Sequence, residues 1–262
     1  MAIKIAVFNQ KGGVGKTTST MNIAADIAAR GKHVLVIDKD PQKNCSKHFL
    51  AEHEREDGYS IENVLLKQIS LEEGIIQVRI RNRGNAKPKY RNLDLLPGSS
   101  KLLEIISELS PDTFRDEIVL PADKIYDYIF FDCPTQGSDI SVETLKAADY
   151  IIVPASPDDD SLDGYGQLLD TVNRIKTNGW NNNLKIAGVF FTNVDTRTSF
   201  EKYIVNEFGE LLGEEYLGSV RHMAVCKEST YAGRPLIYYA PKSAVTEDYR
   251  QITNRLLKKV EG

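Results

Sequence analysis

Short, almost continuous apolar runs alternate along the chain with stretches whose apolar residues recur at helical spacing. The first two runs are Ile3-Lys4-Ile5-Ala6-Val7-Phe8 and His33-Val34-Leu35-Val36-Ile37-Asp38, with one helical stretch between them. Runs that are apolar on both faces are typical of strands in a parallel sheet that helices cover. A strand, a helix and a strand in this order form a right-handed crossover within one sheet. The pattern therefore predicts an α/β fold with a doubly wound, mostly parallel sheet flanked by helices on both faces.

The same periodicities place the remaining elements along the chain. Further strands are predicted at 75–80, 90–96, 125–134, 150–154, 184–193 and 216–220. Helices are predicted at 60–66, 70–73, 102–109, 138–147, 161–176, 200–211 and 245–260. No repeat or linker interrupts the series, so we expect residues 1–262 to form a single domain, with a variable insert at about 45–92 where the pattern is weakest. Because Met1 leads directly into the first strand, we expect no N-terminal DNA-binding domain.

A glycine-rich turn joins the first strand to the first helix. Its glycines allow positive φ, so that backbone N–H groups can turn around an anion. Lys16 places a charge beside the β- and γ-phosphates of a nucleotide, and Thr17 offers a hydroxyl to Mg²⁺ at the positive end of the helix. The strict motif has glycine where this chain has Gln10; the next residue, Lys11, is too far from Lys16 to duplicate its role and can reach a phosphate across an interface. The predicted nucleotide-binding residues of this turn are Lys11, Gly12, Gly13, Val14, Gly15, Lys16, Thr17 and Thr18.

Carboxylates stand at the ends of two other apolar runs. Ligands of open α/β sheets bind at the carboxyl ends of strands, so we expect these side chains to face the glycine-rich turn. Asp38 is placed to hold water bound to Mg²⁺, and Asp40 to orient the water that attacks the γ-phosphate. Asp132 can bind Mg²⁺ through water or hold Thr17. The alternative for Asp40-Pro41 is an ordinary turn after a strand. The predicted metal ligands are Thr17, Asp38 and Asp132.

Composition narrows the possible environment and partners. The net charge of −4 and a pI of about 5.7 exclude a wholly basic nucleic-acid binder, so any DNA contact requires a local basic patch. The three cysteines form no C-x-x-C pair, which indicates a reduced, cytoplasmic compartment. The four histidines lack the spacing of metal ligands. Cys133, beside Asp132, is expected to pack and not to react. No apolar run approaches the roughly 20 residues that span a bilayer.

The glycine-rich turn resembles the deviant phosphate loop (deviant Walker A) of the ParA/MinD family of P-loop ATPases. Asp38-Lys39-Asp40-Pro41-Gln42 is closer to the ParA branch, and the segments at 93–99, 150–157 and 228–237 also match that branch. The resemblance covers nearly the whole chain and is weakest from 45 to 92. It identifies the chain as a ParA/Soj-type DNA-partitioning ATPase.

This resemblance implies a cycle. Two subunits close around two ATP molecules with Mg²⁺, and Lys11 of each subunit contacts the phosphates held by the other. The homodimer binds DNA without sequence preference and hydrolyses ATP when a ParB-like centromere-binding protein stimulates it. The implied catalytic residues are Lys11, Lys16 and Asp40. The implied location is cytoplasmic and nucleoid-associated.

The second half of the chain adds further candidate site residues. Asn193 ends a predicted strand and carries the amide needed to read adenine, with a capped turn as the alternative. Arg197 falls in the family's Asp-x-Arg-Thr motif. The candidate DNA-binding residues are Arg197, Arg221, Arg250 and Lys258. The aspartates at 158–160 are predicted to cap the helix that follows them.

Some alternatives stay open at this stage. The basic run from Arg79 to Arg91 is either a solvated hairpin tip or a contact to DNA or a partner. A MinD-like membrane-associated positioning ATPase requires a C-terminal amphipathic anchor, for which residues 256–262 have few apolar and no aromatic side chains, so we expect no stable membrane anchor. A metabolic P-loop ligase is a further alternative.

Overall fold

The structure is a computed structural model that describes residues 1–50, 59–80, 89–135, 139–158 and 161–262. Its strands are β1 Ile3–Val7, β2 Val34–Asp38, β3 Ile76–Ile80, β4 Lys89–Leu96, β5 Tyr128–Asp132, β6 Tyr150–Ala155, β7 Lys185–Val194 and β8 Tyr216–Arg221. The helices of the first half are α1 Lys16–Ala29, α2 Asn44–Phe49, α3 Ile61–Leu65, α4 Leu71–Gly74, α5 Leu102–Ile106 and α6 Leu120–Ala122, with a π-helical turn Arg115–Val119 before α6. Those of the second half are α7 Asp139–Ala147, α8 Ser161–Thr177, α9 Ser199–Leu212, α10 Ala224–Tyr231, α11 Leu236–Tyr239 and α12 Ala244–Val260.

One sheet organises the described residues. Its eight strands lie in the order β3-β4-β2-β5-β1-β6-β7-β8, and every neighbouring pair is parallel except β3 and β4. The strand β1 is therefore flanked by β5 and β6, and β2 lies on the far side of β5. This arrangement confirms the predicted α/β fold with a mostly parallel sheet, and it brings the carboxyl ends of β1, β2 and β5 together.

Two apolar layers cover the two faces of the sheet. Every residue of β2 and β5 is buried, as expected for central strands of a parallel sheet. The apolar side of α12 belongs to one of these layers: Tyr249, Ile252 and Leu256 are buried among side chains of β7, β8 and α1. The last helix is thus part of the core and does not project from it.

The predicted elements are found, with differences at their ends and in the insert. Ser70 and Glu73 form a capping box at α4, where the Ser70 backbone N–H donates to Glu73 over 2.8 Å. Several short helical segments were not predicted: α2, the π-helical turn with α6, α10 and α11. Each is too short to show a full apolar stripe, and Pro121 interrupts the second. Residues 81–88 of the basic run lie outside the described residues, so its role stays a prediction.

Gly188 in β7 packs against β8 with no room for a side chain. A Cβ atom built there would lie 2.5 Å from Leu217 Cγ and 2.6 Å from the Glu215 carbonyl oxygen. A methyl group at this position would force β7 and β8 apart.

We expect Gly188→Ala to lower the free energy of unfolding by about 1–3 kcal/mol, because overpacking against backbone cannot be relieved by a rotamer change. Urea denaturation measures the loss. Gly164→Ala in α8 is the matched control, since its Cβ would meet nothing within 4 Å; it should gain about 0.5–1 kcal/mol. Equal stabilities for the two variants would contradict the tight β7–β8 contact.

Candidate nucleotide site

The candidate site lies where β1, β2 and β5 end. Asp38 and Asp132 are register partners in adjacent strands, and Val7 at the end of β1 pairs with Asp132 on its other side. The glycine-rich turn leaves β1 at this same edge. The structure therefore brings together the predicted phosphate loop and the three predicted carboxylates.

The phosphate loop adopts the backbone conformation that its glycines permit. Gly13 and Gly15 have φ of 76° and 79°, in the left-handed region that side chains rarely adopt. Gly15 immediately precedes α1, so the first N–H groups of that helix and the positive end of its dipole face the loop. Thr192 at the end of β7 holds the loop from the other side, donating from Oγ1 to the Val14 carbonyl over 2.8 Å.

Lys16 lies inside this loop. Its side chain is buried, and Nζ donates to the Lys11 carbonyl over 3.0 Å. Burial lowers the pKa of Lys16, while the carboxylates of Asp132 and Asp40 act in the opposite direction. The Lys16 ammonium group therefore lies over its own loop, where it can contact phosphates that the loop binds.

Asp132 connects the end of β5 to the first turn of α1. Thr17 Oγ1 donates to one carboxylate oxygen over 2.8 Å, and Thr20 Oγ1 donates to the other over 3.0 Å. Thr20 was not among the predicted residues, because a threonine one turn into a helix carries no motif signal. The contact between Thr17 and Asp132 is one of the two roles predicted for Asp132.

Asp38 is buried beside Asp132 and is held by local donors. Its Oδ2 accepts from the Ser46 hydroxyl over 2.6 Å and from the Ser46 backbone N–H over 2.8 Å. Burial, with the neighbouring carboxylates adding to it, raises the pKa of Asp132 to about 8. Burial also raises the pKa of Asp38, to about 6, against the hydrogen bonds from Ser46. Two carboxylates forced together in this way are a favourable environment for a divalent cation.

Asp40 lies in the turn directly after β2. Its backbone N–H donates to Asp38 Oδ1 over 3.1 Å, and its own Oδ1 accepts from the Gln42 N–H over 2.9 Å. The side chain is 8% exposed, so Asp40 sits at the floor of the site and not in solvent.

Lys11 does not point into its own phosphate loop. Its Nζ lies 2.7 Å from Asp158 Oδ2, in the segment after β6. Asp158 thus pairs with Lys11, and the capping role predicted for the aspartates at 158–160 stays a prediction. Asp159 and Asp160 lie outside the described residues.

A cleft of about 530 Å³ opens beside the loop. Gly13, Gly15 and Thr18 of the loop line it together with Asn193 and His222. Asn193 has φ of 58° and its Oδ1 lies 2.5 Å from His222 Nδ1. The residue predicted to read the base thus lines the same cleft as the phosphate loop, while His222 was missed because a lone histidine after a strand has no motif.

Three of the four candidate DNA-binding residues already have protein partners. Arg197 is bound by Asp195 and Arg221 by Asp248, each through two guanidinium nitrogens at 2.7–2.9 Å. Arg250 donates to the Pro241 carbonyl over 3.1 Å, near the start of α12. Lys258 is exposed near the other end of that helix, roughly 12 Å further along its axis. Their DNA role stays a prediction.

The donor set at this edge suits Mg²⁺. Among the described residues, no group of three or more His, Cys, Asp or Glu side chains forms a complete metal cage. Mg²⁺ does not need one, because it keeps several waters and takes one or two protein oxygens with substrate phosphates. A threonine hydroxyl beside two buried carboxylates, at the mouth of a phosphate loop, fits that requirement.

Comparison with known proteins places this geometry in a family. A family model described as an AAA domain (AAA_31) matches residues 2–186. The sporulation initiation inhibitor protein Soj of Bacillus subtilis is 30% identical over 96% of this chain and 97% of its own. The chain belongs to the ParA/Soj family of P-loop ATPases.

Solved structures share the fold of this family member. A plasmid partition protein of Borrelia burgdorferi bound to AMPPNP superposes with a TM-score of 0.81 at 20% identity, covering 99% of this chain and 100% of that one. Cobyrinic acid a,c-diamide synthase of Mycobacterium smegmatis with bound ADP and magnesium gives a TM-score of 0.78 at 23% identity, covering 98% and 95%. At these identities the likeness concerns the fold, which ATPases and a biosynthetic enzyme share.

We expect Asp132→Asn to flatten the pH dependence of stability in the protein without nucleotide or metal. The pKa of Asp132 is about 8 in the folded chain, against about 3.9 for an unfolded aspartate. The folded chain holds the extra proton between these values, so its free energy of unfolding falls as pH rises through that window, by at most about 1.4 kcal/mol per pH unit.

Denaturant titrations from about pH 5 to about pH 8 measure this slope. Asp170→Asn, on an exposed position of α8, is the control and should leave the slope unchanged. A wild-type slope in Asp132→Asn would contradict a buried, proton-holding carboxyl at the end of β5.

Proposed function

We propose that this protein is a DNA-partitioning ATPase that works as an ATP-sandwiching homodimer. One observation supports this most directly: the phosphate loop carries two lysines, and only Lys16 lies within it. Lys11 instead pairs with Asp158 in the segment after β6, and both side chains remain partly accessible. A lysine in that position serves a phosphate held by a second subunit better than one held by its own.

The described residues supply the parts of a phosphoryl-transfer site. The loop N–H groups and Lys16 bind the β- and γ-phosphates, and Lys11 of the second subunit completes the positive surroundings. Mg²⁺, held by Thr17 and through water by Asp38 and Asp132, would neutralise charge between these phosphates. Asp40 orients the attacking water, and Asn193 contacts the adenine base from the cleft. No covalent intermediate on the protein is needed.

On this proposal, DNA binds to local basic patches that two paired subunits contribute together. The chain has a net charge of −4, so a single subunit attracts DNA weakly. Pairing two subunits doubles the contribution of Arg250, Lys258 and their neighbours on one surface. A ParB-like centromere-binding protein then stimulates hydrolysis and releases the dimer from DNA. We place the protein in the cytoplasm, associated with the nucleoid.

The two alternatives lack an observation in their favour. Among the described residues, no helix combines the length and apolar character needed to cross a bilayer. The apolar side of α12 is buried against the sheet, so a MinD-like anchor would have to leave the core first. For a metabolic ligase, the likeness to cobyrinic acid a,c-diamide synthase extends to the fold alone.

We expect tight DNA binding with ATP and Mg²⁺, and weak binding with ADP or no nucleotide. The logarithm of the affinity should fall linearly as the logarithm of salt concentration rises from about 50 to about 200 mM, because phosphate contacts release counterions. Fluorescence anisotropy with two unrelated duplexes measures both affinity and sequence preference. Lys16→Ala, which removes the phosphate-binding amine, is the control and should show no response to ATP.

Equal DNA binding in ATP and ADP would contradict the proposal. Binding to anionic vesicles, measured by co-sedimentation with ATP, would instead support a membrane-associated ATPase. Turnover of ATP that depends on a small carboxylate substrate and ignores DNA would support a ligase.

We expect Asp40→Ala to bind ATP and dimerise but to hydrolyse it at least about 100-fold more slowly, since the water loses its orienting carboxylate. Single-turnover hydrolysis and light scattering measure the two properties. Asp170→Ala is the control for removing one aspartate. A wild-type rate in Asp40→Ala would remove Asp40 from the reaction.

A further inference from the structure

Lys39 is fully buried, although both of its chain neighbours are candidate site residues. Its relative exposure is 0%, its Nζ donates to Glu143 Oε2 over 2.6 Å, and the same Nζ lies 3.6 Å from the centroid of the Phe114 ring. The neighbouring carboxylates have other partners: Asp38 accepts from Ser46, and Asp40 accepts from Gln42. A buried ammonium is costly unless it is paired, and here a carboxylate and an aromatic face both pair with it.

The contacts of Lys39 tie the turn after β2 to the region that follows β5. Its backbone N–H donates to the Asp132 carbonyl over 3.0 Å. The Phe114 ring packs edge-to-face on Phe131, the residue before Asp132, with centroids 5.8 Å apart. Glu143 lies on α7, the next helix after β5. The turn that carries Asp40 is therefore attached to β5 and α7 through a single side chain and its backbone.

Three local hydrogen bonds also hold the turn: from the Asp40 N–H to Asp38, from the Gln42 N–H to Asp40 and from the Lys43 N–H to the Asp40 carbonyl. All three lie within residues 38–43, so they shape the turn without fixing it relative to the phosphate loop. The long-range contacts of the turn are the bond from the Lys39 N–H to the Asp132 carbonyl and the side-chain pair of Lys39 with Glu143.

We propose that Lys39 and Glu143 form a positioning pair that holds Asp40 at a fixed place relative to the phosphate loop. This inference rests on the proposed ATPase function. Neither residue touches the nucleotide; each acts through the turn. The opposing explanation is that the pair only fills the core. In that case apolar residues of similar volume would replace it without loss of stability or of ATPase activity.

The test is the double variant Lys39→Met/Glu143→Leu, which removes both charges and leaves none buried alone. Its urea midpoint should stay close to that of the wild type. Its kcat for ATP should fall about tenfold to a hundredfold, because a small displacement of the water-orienting group is costly, while KM changes less than about twofold. A stable double variant with the wild-type kcat would overturn the inference.

The single variant Lys39→Met covers the case in which the double variant does not fold. Glu143 is 11% exposed and can then be hydrated. The same fall in kcat at nearly unchanged KM is expected. An unchanged kcat in this variant likewise overturns the inference.

Hydrogen exchange of the free protein gives a readout that does not need hydrolysis. The amides of Asp40 and Gln42 should lose protection in the double variant, whereas those of β2 should not. The control Lys67→Met/Glu117→Gln removes an exposed ion pair of 2.7 Å and should change neither exchange nor kcat.

The exchange result separates the two proposals. If the wild type does not hydrolyse ATP, the proposed function fails, and reduced protection at the turn would still support the positioning pair. Unchanged protection at Asp40 and Gln42 would overturn the pair, whatever the rate of hydrolysis.

Discussion

Two carboxylates buried side by side at the ends of β2 and β5 hold the nucleotide site together. Asp132 accepts from Thr17 and Thr20 and so fixes the first turn of α1, and Asp38 accepts from Ser46 and so fixes the start of α2. Placing two such groups in the core is unfavourable, as their raised pKa values show. The hydroxyl donors offset part of that cost, and a divalent cation with its waters would offset more. Binding of a divalent cation would therefore stabilise this part of the structure.

The sequence was most informative where chemistry and periodicity coincide. The strands at the centre of the sheet are continuous apolar runs, the glycines of the phosphate loop need left-handed backbone, and the acidic residues come directly after strands. Each of these signals is local, so the fold and the gathering of Lys16, Asp38 and Asp132 at one edge followed from them. The ends of the elements and the short helical segments did not follow, since segments this short carry too little pattern.

The pairs missed from the sequence are contacts between distant segments. Lys11 and Asp158 are 147 positions apart, and Lys39 and Glu143 are 104 apart. Nothing near Asp158 distinguishes a helix cap from the partner of a lysine in another loop. Lys39 stands between two candidate site aspartates, Asp38 and Asp40, and would be interpreted from sequence as an exposed charge. Only the packing of Phe114 and α7 over it creates a buried pair.

The ion pair between Lys11 and Asp158 is half-exposed, with 35% and 39% of the two side chains accessible. Pairs this accessible contribute no more than about 1 kcal/mol. Breaking it in each of two subunits would shift the association constant of a dimer by no more than about 30-fold, at about 1.4 kcal/mol per tenfold. On the proposal that two subunits pair, this contact would raise the protomer concentration needed for pairing by no more than about 30-fold.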